Sequence, residues 1–419
     1  MKSESGGPVF RSFSPTRFLR NRPHGHAVPN RMSQRLASVV ATIVLVSAAA
    51  HAASLDAEMK TVERLRGLTF VHPVAERTLT RAELPKVLRA QMEKSLPYSP
   101  DDYALILRTL QLVDGGTTDL VGSMLDLYQS QVLAFYDPLT HTYFAIDQLP
   151  PAAAGMLDSD VLRESVAIHE LTHALQDQRF HAGALDQALQ KDTDGSLALH
   201  ALMEGEATLV MLDYVLDGAG QKLDEVLANP EVLSLLTSSL SGADKTIDSS
   251  TPKYFAESLK FPYAEGLKLV IDGYRRGGWK MVDRMDENPP RSTREVLHPA
   301  EYFARLGIAN AARPPFDDRS PLHGVLTVEH LGEFHWRFLV GEAGSGWIDD
   351  RVTVAQNVQC DPTVLVETRW ENADHARAFR DAYAAFLRGR GLEPRLALDG
   401  VRVRAAYGAD QSLMDSFIR

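Results

Sequence analysis

The feature that most constrains this 419-residue chain is His169-Glu170-Leu171-Thr172-His173, set in the run VLRESVAIHELTHALQDQRF at 161–180. The run has helical periodicity. Val161, Ile168, Leu171 and Leu175 share an apolar stripe, and His169, Glu170, His173 and Asp177 share another. Residues four apart on a helix lie about 40° apart around its axis, so both imidazoles reach one metal ion from one side with Glu170 alongside. Neutral imidazole is a good zinc ligand. A carboxylate that stays off the metal can take a proton from a metal-bound water, whose pKa zinc brings to about 7. With 14 histidines in the chain, chance supplies H-E-x-x-H only about 0.03 times. The bland alternative, a solvated helix face carrying two histidines, is therefore disfavoured.

Catalytic zinc takes three protein ligands and keeps one position for water, so a third donor must come from elsewhere. Glu204 follows His173 by 31 positions, inside SLALHALMEGEATLVMLDYVL at 196–216. That segment is apolar almost all round and predicts a buried helix, with Glu204 among Leu197, Ala201, Thr208 and Met211. A carboxylate there is costly to bury unless a cation or a donor meets it. Glu206 and His200 are rival third ligands.

HELTH followed by a helical Glu-Gly-Glu-Ala resembles the gluzincin, or thermolysin-type, branch of zinc metallopeptidases. The longer HELTHALQDQ with AL-x-EGEA is similar to a group of secreted bacterial gluzincin-like proteins, as are FPY-x-x-G, PP-x-ST-x-x-x-LHP and GW-x-D-x-R, so the likeness spans about 68–350. It implies His169, His173 and Glu204 as zinc ligands and Glu170 as general base. One departure is Thr208, where the thermolysin-type pattern has an Asp that orients a ligand histidine. Asp177 or Asp194 is the expected substitute. The family also needs a donor for the oxyanion of the tetrahedral intermediate. Tyr263 and His298, each in a Pro-flanked segment after the third-ligand helix, are the candidates, with His298 slightly preferred of the two and a plain role for it, pinning the turn before Pro299, weighing at least as much. Zincins generally line their cleft with an edge strand that pairs with extended substrate, here Ala134-Phe135-Tyr136 or Tyr143-Phe144-Ala145.

The first 52 residues carry seven Lys or Arg against one acidic residue, then a short apolar run ending in Ala50-His51-Ala52. This predicts a signal peptide cut after Ala52, with Met32 an alternative start, and a chain exported to the periplasm or beyond without a stable membrane span. The chain's net −11 becomes −17 once the leader's +6 is set aside, which argues against a nucleic-acid partner. The single cysteine, Cys360, allows no intrachain disulfide and is expected to be a buried small hydrophobe.

Elsewhere, 54–130 reads as mostly helical. Thr80 and Glu83 form a capping box for a helix to about Leu96, and further helices are expected over 101–113 and 118–129. QVLAFYDPLTHTYFAI at 131–146 predicts a hairpin about Asp137-Pro138-Leu139-Thr140, with His141 a solvated turn residue. A helix over 230–240 and a loop over 241–251 follow. Gly266, Gly273 and Gly277-Gly278 punctuate 254–279, with Leu267, Leu269, Val270 and Ile271 supporting a helix between, and a short helix follows Pro289-Pro290. Gly341 to Trp347 reads as a flexible joint, followed by strands at 351–355 and 364–370, a helix at 374–388 and a strand at 401–406.

The expected fold class is α+β. A mostly helical, zincin-like catalytic domain (53–325) with a small β-hairpin precedes a small α+β domain (326–419). The expected function is zinc-dependent hydrolysis of peptide bonds in a peptide or protein substrate. The alternative is a metal-binding but non-proteolytic envelope protein.

Overall fold

The two segments expected to carry chemistry become the two central helices of the molecule. The computed structural model describes residues 55–96, 98–116, 119–148, 160–229, 231, 251–306 and 324–419. The expected leader (1–52) lies outside these, as do the expected helix at 230–240 and loop at 241–251 apart from Glu231 and Thr251. The helical part comprises α1 (Asp56–Arg66), β1 (Ala75–Leu79), α2 (Leu84–Ser95), α3 (Pro100–Thr109), α4 (Leu120–Gln131), β2 (Ala134–Asp137), β3 (Thr142–Ile146), α5 (Asp160–Phe180), α6 (Ala182–Ala188) and α7 (Thr193–Gly218). It continues through α8 (Leu223–Leu227), α9 (Lys253–Gly277), α10 (Trp279–Glu287), α11 (Thr293–Leu297) and α12 (Pro299–Arg305). Then come β4 (Val325–Glu329), α13 (Gly332–Val340), a 3-10 turn (Gly341–Gly344), β5 (Trp347–Gln356), β6 (Pro362–Trp370), α14 (Ala373–Gly389), β7 (Arg395–Asp399), β8 (Arg402–Gly408) and α15 (Gln411–Ile418). The fold is α+β.

Helix α7 is apolar on nearly every face, so it needs a neighbour on nearly every face. Helices α5 and α9 supply two of them. Ala198, Ala201, Leu202, Leu209 and Val210 are fully buried as a result. The α7–α9 crossing is backbone against backbone, because a Cβ on Gly266 would lie 1.9 Å from the Ala201 carbonyl oxygen and one on Gly205 would lie 2.4 Å from the Gly266 carbonyl. This corrects the reading of Gly266 and Gly273 as punctuation. Helix α9 runs unbroken through both, and through Pro262, until Gly278 takes φ +63°.

The expected hairpin forms, with Tyr136 opposite Tyr143. Its turn is shaped by Asp137, whose carboxylate accepts from Leu139 N–H at 3.0 Å and Thr140 Oγ1 at 2.7 Å. Strand β1, in a region expected to be helical, pairs parallel with β3. That makes β3 central and leaves β2 at the edge packed on α5, so Tyr143-Phe144-Ala145 is not an edge. The capping box is present: Thr80 N–H donates to Glu83 Oε2 at 2.9 Å and Glu83 N–H to Thr80 Oγ1 at 3.2 Å. The helix expected to reach Val113 stops at Thr109.

Strands β4-β5-β6-β8-β7 form an antiparallel sheet. Val352, Val354, Val364, Val366, Val403 and Ala405 on one face pack with Phe379, Tyr383 and Leu387 of α14, and α15 covers Leu365 and Ala406 on the other. The first of these cores continues into Ile106, Leu107, Leu120 and Met124 and into Phe255 of α9. The division expected at 325/326 is therefore crossed by one continuous core. Asp350 is the fastener: its buried carboxylate accepts from the Leu331 and Gly332 N–H groups and the Trp336 and Trp347 indoles at 2.6–2.9 Å. Arg294 Nη1 donates to the Trp347 carbonyl at 2.8 Å, so the GW-x-D-x-R string does pack the sheet on the helices. The expected flexible joint is instead a packed 3-10 turn, with Gly344 too close to the Trp336 backbone to admit a side chain. Cys360 is exposed in a turn at φ +65°, where the expectation was burial. Among the described residues no helix is long and apolar enough to cross a membrane.

Candidate metal centre

Helix α5 buries Ile168, Leu171 and Leu175 and so turns His169, Glu170 and His173 towards a cavity of about 610 Å³ between α4, β2, α5, α7 and α9. Helix α7 brings Glu204 to the same point. His169 Nε2 stands 3.1 Å from Glu204 Oε2 and 3.2 Å from His173 Nε2, and His173 Nε2 stands 3.4 Å from Glu204 Oε2. Two imidazole nitrogens and a carboxylate oxygen facing one another can share protons or hold a cation between them. With zinc–ligand distances of about 2.0–2.1 Å and tetrahedral angles, neighbouring donors stand about 3.3–3.4 Å apart. The three observed separations fit such an ion, and a His-His-Glu donor set is one that zinc accepts.

The charges are interdependent. Burial alone would lift Glu204, but the facing His173 charge and the hydrogen bonds from both histidines hold it well below the usual carboxylate range. Burial alone would lower His173, and the Glu204 carboxylate carries it up to about 9. Glu170 stays off the triad. Its Oε2 accepts the Tyr136 N–H of the edge strand at 3.0 Å, and burial raises its pKa against the lowering effect of His169 and His173. The edge strand Ala134-Phe135-Tyr136 thus borders the cavity, as one of the two expected alternatives.

Of the two candidate oxyanion donors, the fold brings one to the triad. The Tyr263 ring stacks on His169 with centroids 6.2 Å apart and lines the same cavity as Glu204. Burial, then the Glu204 and Glu170 charges, push its pKa well up, so it remains an O–H donor. His298 is a correction. Its Nε2 lies 3.0 Å from both oxygens of buried Glu333, and it does not line the cavity. Proline flanks located both segments but carried no information about which way either side chain points.

Other expectations are also resolved. His200 pairs with Asp186 at 2.9 Å and Glu206 with Arg66, so neither joins the triad. Asp177 accepts from the Tyr136 hydroxyl at 2.8 Å and Gly183 N–H at 3.1 Å, and Asp194 from Thr293, so neither takes the place left by Thr208. Thr208 Oγ1 and His169 Nδ1 are both buried with no hydrogen-bond partner among the described residues. His141 is exposed, within 3.1 Å of Asp177. Gln176, which the sequence reading passed over, meets His173 Nδ1 at 2.9 Å. Its signal was its place one turn past His173 on the same helix.

Much of the rest of the cavity wall is apolar, with Met124 and Leu127 from α4 and Phe255 and Leu259 from α9, while Asp177, Asp186, His200 and Lys260 also line it.

A family described as "Domain of unknown function (DUF8575)" matches residues 325–414. That span holds the five-stranded sheet and none of the triad. No curated protein and no solved structure matches the chain.

Proposed function

We propose that this chain is an exported zinc metallopeptidase of the gluzincin type, acting on peptides or proteins. The observation that carries this reading is the convergence of His169, His173 and Glu204 within 3.4 Å, with the carboxylate of Glu170 beside them on the same cavity. His169, His173 and Glu204 would hold the zinc ion, which would supply Lewis acidity when bound. Glu170 does the proton work. Oε2 is anchored by the Tyr136 N–H, which leaves Oε1 to take a proton from the attacking water and pass it to the leaving amine. The edge strand β2 aligns an extended substrate across the cavity by backbone pairing. Tyr263, stacked on His169 at the cavity wall, donates its hydroxyl to the oxyanion.

Two measurements test this. Purified wild type should contain about one zinc per chain and cleave members of a mixed peptide library. Glu170→Gln should keep the zinc and cut cleavage by about 10²–10⁴-fold, since it removes only the base. Wild type that holds zinc but cleaves nothing supports the non-proteolytic alternative, and wild type that holds no metal removes both. Tyr263→Phe should lower kcat by about 10²-fold with KM nearly unchanged, the pattern of a donor that matters only in the transition state. An unchanged kcat would remove Tyr263 from that role.

A further inference from the structure

One proposed ligand has its proton position dictated by residues that never touch the metal. Gln176 Oε1 stands 2.9 Å from His173 Nδ1, while Gln176 Nε2 faces two acceptors, the Met203 carbonyl at 3.1 Å and Glu206 Oε2 at 2.7 Å. Turning the amide over would set its oxygen against both acceptors, so the orientation is fixed. Oε1 can only accept. Of the two neutral tautomers of His173, Gln176 therefore selects the one with its proton on Nδ1, and in that form Nε2 offers its lone pair to the point shared with His169 and Glu204.

Glu206 is held in turn. Its Oε1 accepts from Arg66 Nε, and the Arg66 guanidinium also meets Asp283 at 2.9 Å and Asp286 at 3.4 Å and lies 4.6 Å over the Trp279 ring. Arg66 and Glu206 are both buried, so the charge on Glu206 depends on Arg66. Burial, reinforced by the Glu206 charge, pushes the pKa of Asp286 well up.

We infer that Arg66, Glu206 and Gln176 form a positioning relay that selects the Nδ1–H tautomer of His173 and thereby sets the affinity of the centre for its metal. The consequence for metal rests on the metallopeptidase reading; the tautomer does not. The two acids of Glu204-Gly205-Glu206 thus divide the work. Glu204 faces the cavity, and Glu206, about 200° around the helix, faces α1 and α5.

The tautomer is read in the metal-free full chain by long-range ¹⁵N–¹H spectra of labelled histidines, at a pH where the imidazole is neutral. Wild-type His173 should show the Nδ1–H pattern. Glu206→Gln, whose side-chain amide can present either end to Gln176, should show a mixture and bind zinc about 10–100-fold more weakly in competition with a chromophoric chelator. If Glu206→Gln does not fold, Gln176→Met leaves the Arg66–Glu206 pair intact and should show the same two changes. A folded variant with wild-type tautomer overturns the relay, whether or not its zinc affinity falls, and so does Nε2–H in wild type. Wild type that holds Nδ1–H yet binds no zinc supports the relay and overturns the metallopeptidase reading instead.

Discussion

Glu204→Gln is expected to remove stoichiometric zinc and, with it, all peptide hydrolysis. Zinc sites in small folded peptides are worth about 10–16 kcal/mol at neutral pH, which shared among four ligands is about 3–4 kcal/mol each, or roughly 10²–10³ in affinity. Glu204 is the single anion of the triad, so its loss lies at the upper end of that range. The carboxamide keeps an oxygen but not the charge that sets the protonation of His173. The measurement is a zinc titration of both proteins against a competing chelator, with melting recorded with and without zinc. Wild type should gain stability with zinc, by about 2.7 kcal/mol at one hundred times Kd, and the variant should gain little. A variant that binds zinc as tightly as wild type would mean that Glu204 is not a ligand and that the acid has to be sought elsewhere.

The contrast with Glu170→Gln is what makes the pair informative. Both substitutions are expected to suppress hydrolysis, one through the metal and the other through the proton. Glu170 is tied to the edge strand and not to the triad, so its replacement leaves the three donor atoms where they are.

How much of this was legible in the residues follows from how local each signal is. The α5 stripe was legible because a single helix fixes the directions of side chains four apart, and Ile168, Leu171 and Leu175 are buried as that stripe requires. Glu204 was legible because a lone carboxylate in an apolar helix demands a partner. Strand β1 was not. AERTL is exposed at four of its five positions, lacks a buried alternating face, and pairs with residues 67 positions later. Cys360 was misread because its place is set by a turn and not by hydrophobicity. The Asn357 side-chain oxygen accepts N–H groups from Gln359 and Asp361 and holds Cys360 out in the left-handed region. The role of Arg66 was beyond any local pattern, since its partner Glu206 is 140 residues away.

The glycines of α9, read as punctuation around a helix, carry the second large prediction. In sequence, Gly266 resembles a break; in the fold it is the point where α9 touches α7. A methyl group at 266 would sit 1.9 Å from the Ala201 carbonyl oxygen and 2.7 Å from its carbon, against an ordinary contact of at least 3.4 Å, so the helices must part by roughly 1.5 Å. Both partners in the clash are backbone atoms, which cannot swing aside as a side chain can. Gly266→Ala should therefore destabilise the protein by about 3 kcal/mol, the upper end of the usual range for overpacking. Gly266 lies one turn from Tyr263, and Gly205 is next to Glu204, so parting the helices at this crossing also draws Tyr263 away from the triad. A misplacement of about 1 Å can cost 10²-fold in rate. The ligands themselves come from α5 and α7, which the substitution does not separate. The expected variant is thus folded but less stable, keeps its zinc, and has kcat lowered about 10²-fold without a matching change in KM. Loss of zinc together with activity would show that α9 holds the ligands in place as well. A variant with the stability and rate of wild type would show that the crossing is looser than drawn here and that Tyr263 does not depend on it.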